Sequence, residues 1–368
     1  MPRILQDGNI LNRQHTVERF LGEGAFAEVY RVKHRVLGRQ AMKVFKQPIR
    51  GSDRMDKLLA EAILLSRIGH PNIVRVFDAG TFEQSGELYG YMTMEYVGGG
   101  TLHDVWQAEG AVLMSAVKAV DLVRQAAMGL SIAHQSDPPV IHRDIKPSNI
   151  LVAITEKGHL AKVSDFGLAR EVNPLTLMAT GAGTLPFKAP EIFSASKTDS
   201  PAADVWSLGV TLYMLLTDEM PFGMAPGEAP QPRHFKQPPA PPSRIHFECD
   251  AALDAIVLKA LSPDPAGRYS HAGALHDALQ SWAPQAFPQQ SPEAPAPSSA
   301  QSLKTILPAA GSSDREHAAQ LVKAALTAAS QGALSAAAET LEEAFTFDPS
   351  LRNTHESRVR LWRMGVAM

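Results

Sequence analysis

Between residues 10 and 100, hydrophobic positions fall in short runs rich in Val, Tyr and Phe, at 28–33, 40–45, 73–77 and 89–96. Such runs predict strands of a twisted antiparallel sheet. One interval breaks the pattern: over 53–68, Leu58, Leu59, Ala62, Leu65 and Ile68 recur at three- and four-residue spacing, which predicts a helix with one face on that sheet. From 101 to 282 the helical period dominates. Helices are predicted at 115–134, where Val117, Val120, Leu122, Val123, Ala126 and Leu130 form the apolar stripe, at 204–216 and at 251–261. The interval 284–302 is dense in Pro, Gln, Ser and Ala with little to bury, so it predicts an extended linker. Beyond it, 314–330 and 333–345 predict two helices separated by Gly332, the second stopped by Asp348-Pro349. The expected organisation is an α+β unit over 10–283, sheet-rich over about 10–95 and mostly helical over about 98–283. A linker over 284–313 and a helical hairpin segment over 314–368 follow.

Composition adds limits. The 368 residues are 45% hydrophobic and 20% charged, ordinary for a chain with a large buried core. The formal charge of -3 offers no broad field for nucleic acid or an anionic membrane, so neither partner is expected. The single cysteine, Cys249, reads as a small apolar filler and suits a reducing compartment. Residues 1–12 lack the basic start and apolar core of an export signal. The most apolar run, 205–216, is too short for a bilayer span and is flanked by Asp204 and Asp218, so it reads as a buried helix. No membrane anchor is expected, and a cytoplasmic location is.

The candidate chemistry lies in Ile141-His142-Arg143-Asp144-Ile145-Lys146-Pro147-Ser148-Asn149-Ile150-Leu151 and, shortly after, Asp165-Phe166-Gly167. An Asp and an Asn five positions apart in a tight loop can aim a carboxylate at a hydroxyl and an amide oxygen at a magnesium ion. A second Asp in a short turn can hold the metal against nucleotide phosphates. Leu21-Gly22-Glu23-Gly24-Ala25-Phe26-Ala27-Glu28-Val29 lies between two strand signals, where glycines let a hairpin approach phosphate oxygens; alone it reads equally as a plain turn. Lys43 alternates with apolar neighbours in Ala41-Met42-Lys43-Val44, and Glu61 lies about eighteen residues further on the predicted helix.

In this order, over about 16–282, these motifs resemble a Hanks-type serine/threonine protein kinase of the bacterial kind. The resemblance implies a two-lobed fold using ATP and Mg2+, with Mn2+ as an alternative ion, to phosphorylate protein substrates. Asp144 becomes the catalytic base and Lys146, two residues on, the cation that stabilises the transferring phosphoryl; a lysine there points to Ser or Thr acceptors. Asn149 and Asp165 become metal ligands, and Lys43, paired with Glu61, a ligand for the α- and β-phosphates. The segment 21–29 covers the nucleotide. Met94-Glu95-Tyr96-Val97-Gly98-Gly99-Gly100 becomes the hinge, with backbone groups of Glu95 and Val97 on adenine, Ala41, Val29 and Leu151 around the ring, and glycines allowing lobe motion. His142 is expected in a buried stack with Phe166, Leu65 and Asp204. Asp204 is expected to cap its helix and brace the catalytic loop, and Glu191 to pair with Arg268. Arg143, beside the base, suits a phosphothreonine, which makes Thr176 and Thr180 candidate autophosphorylation sites. Thr184 is expected to hydrogen-bond near Asp144 and Lys146 instead.

Departures from the family pattern are Ala27 in place of a third glycine, Phe187 in place of a common tyrosine, and the proline-laden run 221–242 where the family usually has a substrate-docking helix; His234 and 238–243 are expected in a loop packed over the lower lobe. Many bacterial receptor kinases place a spanning helix where this chain has 284–313. The hairpin resembles one tetratricopeptide repeat, through Leu321, Ala324, Ala325, Ala328, Gly332, Ala337, Leu341, Ala344 and Pro349. One repeat is too few to stand alone, so it is expected to lean on a protein partner, a second copy or the catalytic domain. Two competing readings are a non-catalytic kinase-like scaffold and a small-molecule phosphotransferase. The intact set of Lys43, Glu61, Asp144, Asn149 and Asp165 opposes the first, and Ala189-Pro190-Glu191 opposes the second.

Overall fold

The computed structural model describes residues 3–49, 66, 68–110, 112–156, 158–166, 185–193, 200–224, 228, 231–283, 312–330, 333–348 and 351–363. The helix expected over 53–68, with Glu61 and Leu65, and the linker expected over 284–302 therefore lie outside the described residues, apart from Ser66 and Ile68. So do Gly167, Thr176, Thr180, Thr184, Gly332 and Pro349.

The first lobe is a six-stranded antiparallel sheet in the order β1-β2-β3-β4-β6-β5. Its strands are β1 (Ile10–Leu11), β2 (His15–Glu23), β3 (Ala27–His34), β4 (Gly38–Phe45), β5 (Val76–Gln84) and β6 (Glu87–Glu95). Side chains alternate across a strand, so β4 serves two interiors. Met42 and Val44 join Leu5, Tyr30, Val32 and Tyr91 on one face. Ala41 belongs with Met92, Met94 and Val76 on the other, continuous with the core of the second lobe. Lys43 shares the parity of Ala41 and faces the space between lobes. The strand expected at 73–77 is observed nine residues long and shifted, as β5. Its Asp78, Gly80 and Glu83 break the apolar pattern that sequence reasoning looks for.

The second lobe opens with α1 (Leu102–Ala108), started by a capping box in which Thr101 and Asp104 satisfy each other's backbone N–H groups. Helix α2 (Ala116–His134) is capped by Ser115, and α4 (Ala251–Ala260) by Asp250. Helix α3 (Pro201–Thr217) is buried along almost its whole length, which explains why its sequence is a run and not a stripe. Helix α5 (Ala272–Trp282) closes the lobe. Asp204 does not cap α3: Ser200 holds that position without a side-chain cap, and Asp204 lies in the first turn, fully buried, where its charge serves the loop 141–149. A two-stranded antiparallel ribbon, β7 (Ile150–Thr155) with β8 (Gly158–Val163), flanks that loop and was not anticipated. Within 221–242, Phe222 stacks on Trp206 with ring centres 5.6 Å apart and Phe235 meets it edge-on, so this run packs on the second lobe.

The C-terminal segment forms three helices, α6 (Ser312–Ser330), α7 (Leu334–Phe347) and α8 (Arg352–Arg363). Ala325, Ala328, Ala337 and Leu341 form the interior of the expected hairpin; Val359 and Trp362 of the third, unexpected helix complete it. The segment rests on the first unit. Glu339 of α7 pairs with Arg19 of β2 and accepts a 2.6 Å hydrogen bond from Tyr96 Oη, Glu342 lies 3.6 Å from Arg31, and Ile154 of β7 packs against the segment's apolar cluster.

Candidate active site

Residues 141–149 are held from beneath by Asp204, whose two oxygens accept the backbone N–H groups of His142 and Arg143, each at 2.8 Å. His134 Nε2 lies 2.9 Å from the same carboxylate. His142 is fully buried, its Nε2 2.7 Å from Ser164 O and its ring 4.6 Å from that of Phe166; burial lowers its pKa. The expected stack of His142, Phe166 and Asp204 is present, with Leu65 outside the described residues. Ser164 closes the arrangement, donating from both N (2.9 Å) and Oγ (3.0 Å) to Asn149 O. These bonds bring the loop bearing Asp144 and Asn149 against the turn bearing Asp165.

At the centre, Asp144 has three side-chain partners among the described residues. Lys146 Nζ lies 3.0 Å from Oδ2, Asn149 Nδ2 donates to the same oxygen at 3.0 Å, and Lys188 Nζ reaches Oδ1 at 2.8 Å. Burial opposes the charge of Asp144, yet the two ammonium groups outweigh it and hold the carboxyl well below the usual carboxylate range. Asn149 also donates to Asp144 O at 2.7 Å, so its amide nitrogen is committed and its oxygen is the atom available to a hard cation. Asp165, at φ +62°, receives Lys43 Nζ on Oδ1 at 2.8 Å. Lys43, expected opposite Glu61, is thus seen on Asp165; Glu61 lies outside the described residues. A carboxylate and an amide oxygen on neighbouring segments are the donor chemistry Mg2+ takes. Two such ligands leave positions for phosphate oxygens and water.

Across the cleft, Gly24 N donates to Ala27 O at 2.8 Å and closes the turn between β2 and β3. A Cβ built on Gly22 or Gly24 meets nothing within 4 Å, so the space above this turn is open. Leu21 and Phe26 are exposed, while Ala27 is buried. Glu23 pairs with Lys46 at 2.7 Å, and Glu28 accepts from Tyr30 Oη and, at 3.0 Å, from Ile4 N. The Glu28 carboxylate, expected near nucleotide, is therefore occupied in tying down the N-terminal segment. At the lobe junction, Glu95 N already donates to Arg75 O at 2.8 Å, and the Glu95 carboxylate pairs with Lys162 at 2.9 Å. The carbonyl of Glu95 and the backbone of Val97 are what remain for a base. Ala41, Val29 and Leu151 belong to the core around this junction, with Met94 buried beside them. Gly99 has a different reason from the freedom expected of it: a Cβ there would lie 1.9 Å from Val152 O.

Below the loop, Arg268 holds Glu191 with two parallel bonds of 2.7 and 2.8 Å, as expected. Phe187, lacking a hydroxyl, is buried, and its carbonyl accepts Ser207 Oγ at 2.7 Å. Sequence reasoning did not single out Lys188, whose ammonium reaches Asp144 Oδ1 at 2.8 Å. Its one signal was a lone charge inside the uncharged run Leu185-Pro186-Phe187-Lys188-Ala189-Pro190.

The sequence profile of the protein kinase domain matches residues 15–281. The chain belongs to the protein kinase family. Over 274 residues it is 35% identical to the serine/threonine-protein kinase PknB of Mycobacterium tuberculosis, covering 72% of this chain and 42% of that protein. A probable serine/threonine-protein kinase of Clostridium perfringens, CPE1738, is 33% identical, over 72% of this chain and 38% of its own length. The chain thus spans about two fifths of the length of those relatives. Among solved structures, the Mycobacterium tuberculosis PknI kinase domain superposes with a TM-score of 0.57 at 27% identity, covering 75% of this chain and 99% of that one. The two lobes are those of the protein kinase fold.

Proposed function

We propose that this chain transfers the γ-phosphoryl group of ATP to Ser or Thr hydroxyls of proteins. The observation that carries the reading is the convergence on one cleft of Asp144, Lys146 and Asn149 with the Lys43–Asp165 pair. Asp144 orients the acceptor hydroxyl and takes its proton; Lys146 lies beside the path of the transferring phosphoryl; Lys43 meets the α- and β-phosphates. Asn149 and Asp165 would hold Mg2+, or Mn2+ in its place, which when bound neutralises phosphate charge. The lysine two residues after the base, together with the names of the relatives, favours Ser and Thr acceptors. Autophosphorylation at Thr176 or Thr180 is part of the reading, supported by Arg143 next to the base.

The catalytic unit is taken as 10–283, followed by a linker over 284–313 and a tetratricopeptide-like segment over 314–368. The partner of that segment is proposed to be the chain's own catalytic unit, on the strength of Glu339 meeting both Arg19 and Tyr96. A cytoplasmic site suits an ATP-using domain with a buried free thiol at Cys249; no helix among the described residues is long and apolar enough to cross a membrane.

Labelled ATP with Mg2+ and a generic protein acceptor tests the activity. Asp144→Ala and Lys43→Met are each expected to lower transfer by about a hundredfold or more. Label that persists in either variant at the parent rate rules the assignment out. A phosphopeptide map of the same reaction locates any self-modification.

A further inference from the structure

A carboxylate oxygen has about two acceptor positions. On Asp144 Oδ2 both are taken, by Lys146 Nζ and Asn149 Nδ2, each at 3.0 Å. On Oδ1 the described residues supply one donor, Lys188 Nζ at 2.8 Å. The second position on Oδ1 is where an acceptor hydroxyl can donate. We propose that Lys188 is a positioning residue for phosphoryl transfer, fixing Asp144 so that Oδ1 is the oxygen that receives the acceptor hydroxyl. This rests on the assignment of Asp144 as base.

Lys188 is only 4% exposed, and a buried ammonium needs strong acceptors. Among the described residues its two acceptors both belong to the catalytic loop: Asp144 Oδ1 and the carbonyl of Arg143. The backbone that carries Lys188 is itself anchored. Lys188 N donates to Leu185 O at 3.1 Å, Phe187 O accepts Ser207 Oγ from α3, and three residues on Glu191 is gripped by Arg268. The ammonium therefore presents a fixed charge to Asp144 from the segment 185–193, opposite the side held by Lys146. With both oxygens tethered, the carboxylate cannot rotate about its terminal torsion, and the acceptor meets it in one orientation. In the step itself the acceptor O–H bond breaks and its proton goes to Oδ1. A bond forms from the acceptor oxygen to the γ-phosphorus, and the bond to the β-phosphate oxygen breaks, its electron pair leaving with ADP. Asp144 then returns the proton to water.

The test uses the full chain and the variants Lys188→Met and Lys188→Arg, with myelin basic protein as acceptor. Two quantities are read: steady-state kcat and KM, and the affinity for a fluorescent ATP analogue with Mg2+. Lys188→Met is expected to lower kcat about ten- to a hundredfold while KM for ATP and analogue affinity stay within about twofold. Lys188→Arg, which restores charge and N–H donors, is expected to recover the greater part of kcat. Three results would overturn the proposal: a Met variant with kcat within about twofold of the parent, a Met variant that loses nucleotide affinity along with kcat and so marks Lys188 as scaffold, or an Arg variant no better than Met. A parent chain that transfers no phosphate defeats the proposed function and this role with it. An active parent with an unaffected Met variant defeats this role alone.

Discussion

Fully buried Asp204 accepts the backbone N–H groups of His142 and of Arg143, the latter held at φ +68° in the left-handed region. Burial works against its charge, but the hydrogen bonds from His134 and the His142 amide outweigh burial, and its carboxyl lies below the usual value. A depressed carboxyl gives stability that is fully present above the unfolded pKa, about 4, and lost as pH falls through the folded one. Asp204→Asn replaces one accepting oxygen with an NH2 that faces a backbone donor, so at pH 7 it is expected to cost about 1 to 3 kcal/mol. Denaturant unfolding at pH 7, 5 and 3 should show that gap shrinking as the wild-type carboxylate is protonated. A gap that widens toward pH 3 contradicts the account. Asp144, Asn149, Asp165 and Lys43 sit in short motifs whose spacing encodes their chemistry. Lys188 and the Glu28–Tyr30–Ile4 contact arise only from tertiary proximity, which no local pattern records.

At the level of elements, glycines of one appearance in the sequence prove to have different reasons. A methyl at Gly99 would strike the carbonyl of Val152 at 1.9 Å, and both partners are backbone, so the junction must move. Gly22 has nothing within 4 Å of its missing Cβ and no positive φ. Gly99→Ala is therefore expected to destabilise by about 1 to 3 kcal/mol, the range for overpacking. Gly22→Ala should leave stability within about 0.5 kcal/mol and act on ATP affinity instead. Equal losses of stability in thermal melts would refute the distinction. Periodicity reveals α2 and α4, whose apolar residues face one continuous core, and α3 is legible as an unbroken apolar run because it is buried all round. Periodicity missed β7 and β8, where the five-residue apolar run 150–154 flanks a loop, and it placed β5 too early because Asp78 and Gly80 interrupt the alternation. The first turn of α3 misled in another way, since an Asp near a helix start reads as a cap until its burial beneath the catalytic loop is seen.

Across the whole molecule, the C-terminal helices touch three parts of the catalytic unit that must move relative to one another if the cleft is to open. Glu339 meets Arg19 in the first lobe and Tyr96 at the junction, Glu342 faces both Arg31 of the first lobe and Arg363 of α8, and Ile154 of the second lobe joins the tail's apolar cluster. The Tyr96 hydroxyl is held above its ordinary pKa by burial and by the neighbouring Glu339 carboxylate, so it donates to that carboxylate across the physiological range. Any rotation of one lobe about the hinge has to stretch or break contacts in this set. The Arg19–Glu339 pair is partly exposed and buried Arg31 is held by Glu18 at 2.7 Å as well as by Glu342, so each contact is worth on the order of 1 kcal/mol or less and the effect belongs in local dynamics before global stability. Glu339→Gln combined with Glu342→Gln, in the full chain, is expected to speed amide hydrogen exchange over 94–100 and over β2 while lowering the melting temperature by only a few degrees, about what 1 kcal/mol gives. Nucleotide exchange, followed by displacement of a fluorescent ATP analogue, should accelerate in the same variant. Unchanged exchange at 94–100 would show that the helices rest on the catalytic unit without restraining its hinge.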